Sequence, residues 1–223
     1  MNNIKTFENF NNKDIFTYIK GKDVKSVENY IYSGYDLNVK DGNGYSVLAI
    51  ASSRDDVKIF KLLLDAGADP NEKTNNYYTP LIIASSFENI EIVKLLLGIN
   101  IKINEQDIDG NTALTNAVKF DYIKIVKLLL NAGADIDKQN INGDTALIFA
   151  AKNNNREIIE LLLNYHADEF ILNNNNKSFY DYLNDENKQY LLEEYPNKVH
   201  NAISNWYKKS FTEFAKDFNL KIN

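Results

Sequence analysis

Catalysis needs a general base, a nucleophile or a metal held in place, and few residues of this chain could serve. There is no cysteine among the 223 residues, which excludes a thiolate nucleophile, a disulfide framework and a zinc–thiolate site. The histidines are His166 and His200, and their separation does not match metal-ligand spacing on one helix face. No Gly-rich phosphate loop follows a strand-like run, and the pairs Asp109-Gly110 and Asn142-Gly143 are ordinary turn formers. The carboxylates are scattered over turns. We therefore expect no catalytic residue, no cofactor-binding residue, no metal ligand and no enzyme.

Composition narrows the partners. The formal charge is -6 and the pI about 5.1, whereas nucleic-acid binding needs a broad basic face. An acidic surface favours basic partners. The start, MNNIKTFENFNN, lacks the apolar run of a signal peptide, and no window is apolar enough to span a bilayer. The expectation is a cytoplasmic, monomeric protein, without nucleic acid or membrane as partner. Runs such as Asn173 to Asn176 reflect an asparagine-rich composition and need no functional account.

The elements that position everything else repeat. Ser46, Thr79, Thr112, Thr145 and Ser178 begin similar phrases at a constant step of 33 residues, and Gly34, Gly67, Asn100, Gly133 and His166 close an apolar run at the same step. Thr79-Pro80 is a helix start: the hydroxyl accepts a free backbone N–H, and proline fits the first helical position. The runs IFKLLL, IVKLLL, IVKLLL and IIELLL, from Ile59, Ile92, Ile125 and Ile158, are apolar at five places of six. Such a second helix must be covered by neighbours on most sides. Gly67 and Gly133 let the chain turn left-handed after it, with Asn100 and His166 as substitutes. Ala51, Ala84, Ala117 and Ala150 recur in the first helix, where a small side chain lets helices approach. Turn signals at Asp41, Asp107 and Asn140 join the units.

With these residues in place the chain resembles the ankyrin-repeat family, whose 33-residue unit combines a helix pair with a hairpin-like turn. Asp41, Gly44, Ser46, Leu48 and Ala51 carry the phrase first. Thr79, Pro80, Leu81 and Ala84 follow, then Asp107, Gly110, Thr112, Leu114 and Ala117, then Gly143, Thr145, Leu147, Ala150 and Ala151. The resemblance implies an all-α repeat solenoid. The family histidine is replaced by Ala49, Ile82, Thr115 and Ile148, and the Gly-His pair between helices by Asp55-Asp56, Glu88-Asn89, Asp121-Tyr122 and Asn154-Asn155. These departures predict looser repeats than a consensus array.

The expected organisation is an N-terminal segment and capping repeat over 1–40, with Lys13 at the Thr position. Full repeats follow over about 41–73, 74–106, 107–139 and 140–173. A degenerate cap then covers 174–196, with Leu191 and Leu192 at its apolar pair. Beyond the period, over 197–223, Val199, Ile203, Trp206, Phe214 and Phe218 recur at helical spacing, which predicts an amphipathic C-terminal helix.

With no chemistry to assign, a binding surface is what is left. The resemblance implies a concave groove built from turn tips and the exposed side of each first helix. Its candidate partner-binding residues are Tyr45, Arg54, Tyr78, Phe87, Ile108, Asn111, Phe120, Ile141, Asp144 and Asn153. Several are larger and less polar than a solvated face requires. The expected function is a non-enzymatic module that binds a protein partner of basic character. The alternatives are a scaffold that self-associates or is autoinhibited through the aromatic C-terminal helix, and an effector directed by a symbiont or pathogen into its host.

Overall fold

The structure, a computed structural model, describes residues 12–195. Those residues are helical; the single β feature among them is an isolated antiparallel bridge between Lys40 and Ser46. The chain divides into two compact units, Met1–Ala134 and Asp135–Asn223.

The first unit holds four helix pairs: α1 Asn12–Lys20 with α2 Val24–Tyr32, α3 Val47–Ser52 with α4 Val57–Asp65, α5 Pro80–Ser86 with α6 Ile90–Leu97, and α7 Ala113–Lys119 with α8 Ile123–Asn131. The oxygens of Ser46, Thr79 and Thr112 each accept the backbone N–H three residues on, at 3.2 Å. Those side chains set where α3, α5 and α7 begin. Lys13, in register with them, lies inside α1 instead of ahead of it. First helices stack on one another from α1 to α7, and second helices from α2 to α8, so the unit is two-layered. Ala51, Ala84 and Ala117 are fully buried in the first layer. In α4, Ile59, Phe60 and Leu63 are fully buried, and each such side chain contributes about 1.5–3 kcal/mol. Leu62 and Leu64 are only half-buried beside exposed Lys61, so the wet edge of the second helix is wider than its sequence implies.

Each turn tip is fastened by one side-chain oxygen. Asp41 Oδ1 accepts the N–H groups of Asn43 at 2.9 Å and Tyr45 at 3.0 Å, and Asp107 Oδ1 those of Asp109 at 3.0 Å and Asn111 at 2.8 Å. Thr74 Oγ1 does the same for Tyr78 at 3.1 Å. Gly44 is left-handed and a Cβ there would run into the Asn75 side chain, whereas one repeat later Tyr77 holds that conformation at φ 62°. Adjacent tips are tied by the Ile108 N–H donating to the Asn76 carbonyl at 3.0 Å. Between the two helices of each pair the chain is left-handed at Lys22, Asp55, Glu88 and Asp121, at φ between 51° and 60°. A residue bearing a Cβ costs roughly 1–2 kcal/mol there, which is the physical content of losing the family glycine.

One expected helix stop is different. After α4 and α8, Gly67 and Gly133 are left-handed, and the N–H groups of Ala68 and Ala134 return to the carbonyls of Leu63 and Leu129. Asn100 is not left-handed: α6 ends at Leu97, Gly98 caps it with φ -78°, and the Ile99 N–H returns only as far as Leu96. The glycine has moved two places towards the helix, so the chain leaves it by a different turn.

The second unit contains α9 Ala146–Lys152, α10 Arg156–Asn164, a single 3₁₀ turn at Phe179–Tyr182 and α11 Asp185–Glu194. Thr145 and Asn155 cap the pair through the N–H groups of Ile148 and Ile158. His166 takes the left-handed stop at φ 64°, and the Ala167 N–H returns to Leu162. Asp181 Oδ2 accepts both the N–H and the hydroxyl of Ser178, at 2.7 and 3.0 Å. Leu183 is extended, so what would be another first helix is cut to one turn. In α11 Leu191 is buried, but Leu192, its expected apolar partner, is exposed. The helix expected over 197–223 lies outside the described residues.

Candidate functional site

A groove of about 780 Å³ opens in the first unit. Turn tips contribute Asp41, Asn43, Tyr45, Tyr78, Asp107, Asp109 and Asn111; the ends of first helices contribute Ser53, Arg54, Ser86, Phe87, Lys119 and Phe120. Ile50, Ile83 and Asn116, from the helices themselves, complete it with Lys20 and Tyr122. The local cause is the alternation of one repeat: the tip fastens, a six- or seven-residue helix runs from it, and the helix ends at a bulky or charged side chain. Phe87 is 59% and Phe120 45% exposed. The Phe120 and Tyr122 rings stack at 5.9 Å with 28° between planes.

The charges are unevenly paired. Lys20 Nζ lies 3.5 Å from Asp41 Oδ2, Arg54 donates to the Lys20 carbonyl at 2.7 Å, and Lys119 Nζ stands 5.9 Å over the Phe120 ring. Burial pushes the Asp41 carboxyl up, but the N–H groups of Tyr45 and Asn43 and the Lys20 ammonium outweigh it, and the group sits below the usual carboxylate value. The Tyr78 phenol is raised, first by burial, then by the charges of Asp107 and Asp109 and by Tyr45.

The groove brings together Tyr45, Arg54, Tyr78, Phe87, Asn111 and Phe120. Ile108 is exposed on a tip of the same unit without lining the groove, and Ile141 and Asn153 are exposed in the second unit. Two of the candidates are not open contact residues. Asn111 is 5% exposed and Asp144 2%. Asp144 is spent inside its own unit, accepting from Lys152 Nζ at 2.6 Å and Asn173 Nδ2 at 2.8 Å. The reason is register: counting from each tip identifies the position but not whether a long neighbour folds over it. Tyr122 and Lys20 were not among the candidates. Tyr122 replaces the family histidine between helices, a departure that could have signalled it; Lys20 closes the atypical first pair, where the repeated phrase is absent.

Among the described residues no three His, Asp or Glu side chains are grouped closely enough to hold a metal, and no helix is long and apolar enough to cross a membrane.

The comparisons agree with that architecture. The family model described as ankyrin repeats, in three copies, matches residues 15–107, 55–140 and 101–176. This chain belongs to the ankyrin-repeat family, and its fold is an all-α repeat solenoid. Among solved structures it is similar to the crystal structure of EF0377, an ankyrin repeat protein, with 29% identity and a TM-score of 0.77 over 83% of this chain and 99% of that one. No curated protein matches it. Ankyrin repeats are protein–protein interaction modules, in general without enzymatic activity.

Proposed function

We propose that this protein binds a partner protein in the groove of its first unit, without catalysing a reaction. The repeats over 41–139 supply that surface, with 1–40 as the capping segment before them; 140–173 and the degenerate cap over 174–196 follow. The observation that carries the reading is the set of aromatic side chains around one concavity, the exposed Phe87 and Phe120 with the half-buried Tyr78 and Tyr122. Exposed aromatics gathered in a concave patch act as interface anchors, because they desolvate a large area at a small cost in conformational entropy. The acidic balance of the chain, -6, favours a basic partner.

The test is capture of proteins from a cell extract by the full chain and by a variant carrying Tyr78→Ala, Phe87→Ala and Phe120→Ala. Loss of captured proteins with an unchanged melting temperature supports the groove. Undiminished capture at an unchanged melting temperature sinks it.

A further inference from the structure

We propose that the partner segment seated in this groove is apolar and carries a lysine or arginine, whose cation rests on Asp107 and Asp109 beside Tyr78 while its apolar residues cover Phe87 and Phe120. The inference rests on the groove reading above and adds the chemistry of the occupant.

The argument begins with what a turn tip needs. Its side chain must offer one acceptor oxygen to two backbone N–H groups, and a neutral residue does this as well as an acid. Asn140 Oδ1 accepts from Asn142 and Asp144, both at 2.9 Å, and Asn173 Oδ1 from Asn175 at 3.0 Å and Lys177 at 3.2 Å. The negative charge of Asp107 is therefore surplus to the fold. Its other oxygen, Oδ2, accepts only a long 3.4 Å bond from Asn116 Nδ2, although Asp107 is 6% exposed. That oxygen keeps acceptor capacity for a cation.

The comparison with the other tip acid is direct. Asp41 has Lys20 at 3.5 Å, whereas among the described residues no Lys or Arg pairs with Asp107 or Asp109. The basic side chains of the groove are engaged with the protein itself, Lys20 on Asp41, Arg54 on the Lys20 carbonyl and Lys119 over Phe120. The Tyr78 ring beside the two acids adds a face on which a cation is also attracted. Phe87 and Phe120 lie one helix length away, at the ends of α5 and α7, a separation that an extended peptide spans in a few residues.

The experiment selects short random displayed peptides on the full chain, then measures winners by titration. The expected winners pair a Lys or Arg with apolar residues. Asp107→Asn with Asp109→Asn weakens them about tenfold, the size of one charge-assisted contact. Changing the peptide's basic residue to Gln causes the same loss, and the two changes together cause no more. Asparagine already fastens two tips, so an unchanged melting temperature is expected for the variant. Winners without a basic residue, or basic winners indifferent to both Asp→Asn changes, overturn the inference. If Phe87→Ala with Phe120→Ala still weakens such winners, the groove reading survives that failure. If those changes have no effect, or no peptide is selected, both fall.

Discussion

Equivalent positions in the two units have been put to opposite uses. Tyr78 in the first unit and Asp144 in the second stand at the same place after a tip, and Ser86 and Lys152 at the same place near the end of a first helix. In the second unit the long Lys152 side chain folds back over its own surface. Its ammonium lies 2.6 Å from Asp144 and 4.7 Å over the Tyr182 ring, and Asn173 binds both Asp144 and the Tyr182 hydroxyl at 2.8 Å. In the first unit, Ser53 and Ser86 are too short to reach across; each hydroxyl returns to a carbonyl of its own helix. The concavity stays open beside them. A repeat scaffold thus decides between a satisfied polar network and an open groove by which side chains meet: Lys152 has the Asp144 carboxylate to bind, whereas Lys119, at the same place in the first unit, has Asn111 at that position and stands over the Phe120 ring.

The core should not distinguish the two regions, and the largest effect tests this. Leu129→Ala and Leu162→Ala each remove a fully buried leucine, and each should cost roughly 2–5 kcal/mol in urea unfolding. A cost confined to one of them would mean that the two units differ in packing as well as in surface. Next in size, Asp144→Ala strands Lys152 and Asn173 and should cost about 1–3 kcal/mol. Asp107→Asn should change stability by less than about 0.5 kcal/mol. Similar losses at both sites, measured by urea midpoints, would erase the distinction between a closed network and an open groove.

Ser86→Lys copies the second unit's device into the groove. It should weaken a groove-bound peptide about tenfold and leave the melting temperature within a degree or two; unchanged binding by anisotropy titration would show that a long side chain at this place does not close the groove. A smaller effect, and opposite in sign, comes from the backbone. Glu88→Gly relieves a left-handed residue at φ 59° and should stabilise by about 0.5–1 kcal/mol.

The smallest contrast is in pH. Asp41 is held below the usual value of 3.8, with burial opposed by the N–H groups of Tyr45 and Asn43 and by Lys20, while Asp137 is raised above it, first by burial and then by Asp168, Asp135 and Glu169. For Asp41 the folded state binds protons less readily than the unfolded. Its contribution is therefore present above pH 3.8 and is lost as the pH falls through its lowered value. For Asp137 the sign reverses: stability is fully present below 3.8 and is lost as the pH rises through its raised value. Asp41→Asn should therefore be destabilising near neutrality, and Asp137→Asn stabilising. Both effects should fade on acidification, and midpoints at several pH values that move together would contradict the assignment.

Most of the architecture was legible because it is periodic. The constant step located the caps at Ser46, Thr79, Thr112 and Thr145, which form as the hydroxyl chemistry requires, while at Ser178 the hydroxyl donates to Asp181 instead. Legibility failed where the period is intact but local chemistry differs. Asn100 keeps the register of a helix stop, yet Gly98 ends the helix first; Leu192 keeps the register of a core pair, yet it is exposed where Leu191 is buried. The site was legible as positions, not as accessibility. Tyr45, Tyr78, Phe87 and Phe120 could be counted from each tip, but the burial of Asp144 depends on Lys152, eight residues on in the chain.

Repetition of sequence, then, was sufficient for the helix pairs, their caps and the two layers, because these follow from local hydrogen bonding and from apolar faces that cannot remain in water. The open groove, the surplus charge of Asp107 and the sealing of Asp144 belong to tertiary structure alone. They arise from which side chains, brought near one another by stacking, are long enough to satisfy each other.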